Sequence, residues 1–73
     1  MSIVGTVTVR FLHTRRRKVI YNVPKSQYNR LSDELMSRTG PQEFQMRSTD
    51  GTRTKLDKSQ LKSIEFKATG TDS

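Results

Sequence analysis

Arg15-Arg16-Arg17-Lys18 is the segment of this 73-residue sequence whose chemistry is easiest to name: four consecutive cations, with no acidic residue anywhere before Asp33 to neutralise them. Guanidinium and ammonium groups packed this closely match the oxygens of a phosphate backbone, where neutralisation releases condensed counterions and drives association. Arg10, Lys25 and Arg30 extend the candidate patch if strand, loop and helix bring them together. All seven of these bases lie in residues 1–32 without one acid, whereas residues 33–73 hold seven bases and seven acids, so the whole formal charge of +7 belongs to the first half. Such a local field attracts an anionic partner, either nucleic acid (DNA or RNA) or an acidic protein surface.

Catalysis has one conceivable set. His13 with Arg15, Arg17, Tyr21 and Glu65 could cleave a phosphodiester by general acid-base chemistry, with the cations stabilising developing charge. Against it, no second base is fixed near His13 in sequence, and a flexible turn holds geometry poorly. The expectation is a non-enzymatic protein. There are no cysteines, which excludes thiolate metal sites, iron-sulfur clusters and cysteine nucleophiles, and the single histidine cannot build an ordinary zinc site. The seven acids are scattered, and the glycines at 5, 40, 51 and 70 are too far apart for a phosphate-cradling loop, so neither metal nor cofactor is expected.

Two tyrosines bear on recognition. Tyr21 could stack on an unpaired base, but it shares the parity of Val19 and Val23, which predicts a core position. Neither Tyr21 nor Tyr28 belongs to the paired aromatics of an RNA-reading sheet, so sequence-specific readout is not expected.

The elements that would position these residues follow from periodicity. Ile3, Val7, Val9 and Phe11 alternate with Thr6, Thr8 and Arg10, predicting a strand with one buried face. Val19, Tyr21 and Val23 repeat the pattern after His13–Lys18, predicting a hairpin with the basic run at its tip. Tyr28, Leu31, Leu35 and Met36 recur at helical spacing after Pro24, predicting an amphipathic helix over about residues 25–38, with Asp33 and Glu34 facing solvent and Gly40-Pro41 ending it. Phe44 and Met46 predict a third strand, Asp50-Gly51 a two-residue turn and Arg53–Leu56 its return strand. Asp57 opens a short helical turn to Leu61, and Ile64 with Phe66 predict the last strand.

The predicted fold class is therefore α+β, a small curled antiparallel sheet or open barrel in β-β-α-β-β-β order with one amphipathic helix. By element order alone it is similar to small open barrels of the Sm or SH3-like kind. Residues 1–67 read as a single domain and 68–73 as a mobile tail. With 30% apolar residues the core is thin, and pairing through sheet edges, strand one being the candidate, would give a homo-oligomer. No apolar run approaches the roughly 20 residues of a membrane span, so no membrane association and a cytoplasmic location are expected. The functional expectation is a small basic protein contacting nucleic-acid phosphates through an Arg-rich hairpin tip. The alternative is a protein-interaction module or inhibitor, of the sort phages and plasmids encode, whose basic face covers an acidic protein site.

Overall fold

The alternating N-terminal run forms the spine of the molecule. In the computed structural model, which describes residues 2–38 and 40–72, it becomes β1 (Ser2–Phe11), followed by β2 (Arg17–Pro24), α1 (Lys25–Ser37), β3 (Glu43–Arg47), β4 (Arg53–Asp57), a 3-10 turn (Lys58–Gln60) and β5 (Leu61–Asp72). The fold is α+β, with five strands in two antiparallel sheets of order β2-β1-β5 and β3-β4, and the barrel does not close. One face of the larger sheet, the helix and the smaller sheet enclose a core of Val7, Val9, Ile20, Val23, Leu31, Phe44, Met46, Leu56 and Leu61.

Two bulges change the predicted inward faces. Around Gly5 the register of β1 slips against both neighbours, so Val4 is buried while Ile3, expected inside, is 42% exposed. Only glycine fits there, because a Cβ would collide with the Lys67 carbonyl oxygen and the Phe66 ring. In β2 the bulge is Asn22, at φ 57, a left-handed conformation that asparagine tolerates. Two β2 residues are thereby spent on one step of the ladder, and both Ile20 and Val23 point inward. The core positions predicted for Val19 and Tyr21 are corrected accordingly: both face outward and are exposed.

Other expectations also shift. The helix buries Leu31 and half-buries Tyr28 and Leu35, but Met36 is exposed. Glu34, expected in solvent, is mostly covered and accepts from Lys58 Nζ at 3.0 Å. The helix ends with Arg38 in the left-handed region (φ 53), and Gly40 takes a positive φ two residues on. Asp50-Gly51 is not a two-residue turn. Ser48 N–H donates to Thr52 O and Gly51 N–H to Ser48 O, making a three-residue connection whose last member, Gly51, carries the positive φ.

The predicted division at residue 67 fails on strand pairing. Residues 68–72, expected to lack an anchor, continue β5 and pair with Ser2–Gly5, while Met1, Thr39 and Ser73 lie outside the described residues. That pairing makes β1 the central strand, so it is not the free edge expected of strand one; β2 and β5 are the edges of the larger sheet. Among the described residues no helix is long and apolar enough to cross a membrane.

Candidate nucleic-acid interface

The β1–β2 connection occupies residues 12–16, all exposed, and Arg17 and Lys18 are already the first rungs of β2. Arg10 lies directly opposite Arg17 and points to the same, outer side of the sheet. Like charges so placed repel across a few ångströms, which destabilises the pair unless an anion intervenes. Two contacts fix the loop. Leu12 N–H donates to Gln60 O at 2.9 Å, and Arg16 N–H donates to Thr14 Oγ1 at 3.1 Å.

The anchor at Gln60 depends on a cap further back. Asp57 Oδ1 accepts from Ser59 N–H at 3.0 Å and from the Ser59 hydroxyl at 2.7 Å, starting the 3-10 turn that presents Gln60 to Leu12. The Ser59 hydroxyl and amide bonds hold the Asp57 carboxyl below its ordinary range. After the turn, β5 slips register between its partners Leu61 and Ser63, which leaves Lys62 facing the hairpin tip. The result is an open concavity of about 640 Å³ walled by Arg10, Arg15, Arg16, Arg17 and Lys62, with Phe11 to Thr14 between them and no carboxylate in the lining. Among the described residues the ion pairs are those of Glu34 with Arg30 and Lys58, and none involves the tip.

The seven candidate site residues are thus divided. Arg10, Arg15, Arg16 and Arg17 are gathered around the tip concavity, whereas Lys18, opposite the inward-facing Val9, lies on the other face of the sheet and is not in the lining. Nor are Lys25 and Arg30. Pro24, where β2 hands over to the helix, pairs with Val4 at the opposite end of the strand, about 20 Å from Arg17 at some 3.3 Å per residue. Arg30 Nε also lies 3.5 Å from Glu34 Oε2 on the exposed helix surface.

The catalytic set is spread in the same way. Arg17, Tyr21 and Glu65 share the outer face, but Tyr21 and Glu65 stand on the two edge strands with β1 between them, about 10 Å apart at the backbone. His13 and Arg15 belong to the loop. Among the described residues no three histidine or carboxylate side chains gather into a metal-binding group.

Sequence reasoning missed two members of this surface. Lys62 is an ordinary lysine in a mixed segment, and only the β5 bulge turns it to the tip. Tyr21 had a local signal in Asn22, a residue suited to positive φ in the middle of an alternating run. The tyrosine's outward position is held from afar, since Ser48 Oγ donates to the Tyr21 carbonyl at 2.8 Å and Thr49 N–H to that of Asn22 at 2.8 Å.

Comparison with protein-family models, curated proteins and solved structures finds no match to this chain.

Proposed function

We propose that this is a small, basic, non-enzymatic nucleic-acid-binding protein that contacts phosphates through the Arg-rich tip of its first hairpin. The observation that carries the reading is the charge of the tip concavity, where Arg10, Arg15, Arg16, Arg17 and Lys62 converge around Phe11 to Thr14 without a carboxylate among them. Five uncompensated cations around one opening repel each other and are relieved by a polyanion. The acidic-protein alternative has one observation of its own, the 52% exposed Leu12 at the tip, but a single apolar side chain among five cations is a small anchor beside the apolar centre that a protein interface concentrates.

The test is the salt dependence of affinity for mixed-sequence DNA and RNA. Four phosphate contacts give a slope of about −3 to −4 in log affinity against log salt, the steeper value for a duplex. Changing Arg15, Arg16, Arg17 and Lys18 together to glutamine is expected to flatten most of that slope without lowering thermal stability, since exposed like charges contribute no packing and repel each other. Changing Arg38, Arg47, Arg53 and Lys55 to glutamine removes the same formal charge elsewhere and is expected to do much less. Equal losses would mean that binding follows net charge alone and that the tip has no special role.

A further inference from the structure

The outer face of the β2-β1-β5 sheet is left open, because the helix and the smaller sheet cover the opposite side. Register gives its layout. Arg17, Arg10 and Ser63 form the rung nearest the tip, Val19, Thr8 and Glu65 the next, and Tyr21, Thr6 and Lys67 the third. Tyr21 is 66% exposed and Val19 37%, so an aromatic ring and a branched aliphatic side chain stand in line with the arginine pair on one face.

We infer that this face is a platform for single-stranded nucleic acid, on which Tyr21 stacks against a base while Arg10 and Arg17 hold neighbouring phosphates. The inference rests on the tip reading and narrows its ligand class. Three features favour a single strand over a duplex. A ring face offers binding energy only to a base that is unstacked and free, and every base has a face to give, so such stacking is strong without being sequence-specific. The major groove admits a helix or a two-stranded ribbon, whereas this surface is three strands wide. Finally, the backbone that turns Tyr21 outward is held before any ligand arrives, through the Ser48 and Thr49 bonds to the Tyr21 and Asn22 carbonyls. Glu65 on the β5 edge repels phosphate, so the backbone of the strand runs along β2, from the arginine pair past Val19 to Tyr21.

Intrinsic fluorescence tests this directly, because the chain has two tyrosines and no tryptophan. Tyr28 is half-buried with its ring 5.3 Å from that of Phe66, and Tyr28→Phe leaves Tyr21 as the single reporter. Oligo(dT) and oligo(U) of about 12 nucleotides, within the range that one small binding fold occupies, are titrated against a DNA duplex of equal length. The expected results are quenching of Tyr21 by either single strand and weaker binding of the duplex. Read by the anisotropy of a dye-labelled strand, Tyr21→Ala is expected to weaken single-strand binding by about 5- to 150-fold, the range set by one stacked base, with Tyr21→Phe close to wild type. An undiminished single-strand affinity in Tyr21→Ala, or tighter binding of the duplex, overturns the platform; the tip reading then stands if the Arg15–Lys18 glutamine variant still loses the salt slope. If neither nucleic acid binds with a salt dependence, both readings fall. Capture of an acidic protein that survives nuclease and needs Tyr21 assigns the face to a protein partner and overturns the platform as well.

Discussion

The two hairpins of this molecule place arginines identically and use them differently. Arg10 faces Arg17 on the last rung before the β1–β2 connection, and Arg47 faces Arg53 on the last rung before the β3–β4 connection. Beyond Arg47 the chain closes tightly. Ser48 N–H meets Thr52 O at 2.8 Å, Gly51 N–H meets Ser48 O at 3.1 Å, and Asp50 Oδ1 accepts from Thr52 N–H at 2.9 Å. This turn is also a clamp, since buried Ser48 holds the bulge of β2. Beyond Arg10 the chain opens into five exposed residues that add Arg15 and Arg16 and bring no acid. An arginine pair beside a closed turn with its own carboxylate is surface decoration on a structural joint. The same pair beside an open, acid-free loop concentrates a field.

The largest effect that would break this contrast is expected in the stem of the open hairpin. Gly5→Ala pushes a methyl group into the Lys67 carbonyl and the Phe66 ring, a backbone clash expected to cost about 3 kcal/mol or more, a large share of a small domain's stability. Thermal unfolding is expected to fall sharply and nucleic-acid binding to fall with it, whereas the tip glutamine variant loses binding alone. If Gly5→Ala unfolds no earlier than wild type, β1 and β5 do not approach as described.

Gly51→Val is the next largest. A Cβ at Gly51 meets nothing within 4 Å, so only the positive φ of 90° opposes it, at about 1–3 kcal/mol. Two glycines inserted after His13 lengthen the open loop and are expected to cost no more than about 0.5 kcal/mol, because closure entropy grows slowly with loop length. Chemical denaturation of the two variants side by side separates a clamp from a display loop, and equal losses would erase the distinction between the hairpins.

The smallest effect is acid dependence. Asp50, through the Thr52 amide and hydroxyl, and Asp57, through Ser59, have carboxyls lowered from the ordinary value of 3.8. A carboxyl lowered in the folded state contributes stability above its unfolded value and loses that contribution as pH falls through the folded one. The wild-type melting temperature is therefore expected to drop below about pH 4, and Asp50→Asn with Asp57→Asn to shrink that drop, since the amide oxygen still caps both turns without titrating. A melting curve against pH that is identical in the double variant would remove these caps from the account.

The elements that were legible in the sequence are those whose causes are local. Phe44 and Met46 alternate, Leu31 repeats with Tyr28 and Leu35, and Asp57 announces its own turn, so these needed no knowledge of the rest of the chain. The parity of β2 was not legible in full, because the bulge at Asn22 is held by Ser48 and Thr49 from the turn between β3 and β4. Nor was the end of β5. Ala68-Thr69-Gly70-Thr71 has no apolar rhythm, and it becomes a strand because the backbone of Ser2–Gly5 offers it partners. The candidate site divides along the same line: Arg15 to Lys18 are neighbours in the chain and could be read together, Lys62 joins them only through a bulge, and the length of β2 carries Lys25 and Arg30 away.

Pairing of Ser2 with Asp72 also gives the molecule a mechanical polarity. Ladder hydrogen bonds run perpendicular to their strands, so a pull that separates Ser2 from Asp72 opens the β1–β5 seam one rung at a time, like a zipper. A pull between the Arg-rich tip and Asp72 acts along the strand axis instead, and the β1–β5 rungs resist it together in shear. The ten residues of β1 set these two poles about 30 Å apart. A strand gripped at the tip would therefore load the sheet in its stiff direction, while the soft direction lies at the far end, where β1 begins and β5 finishes.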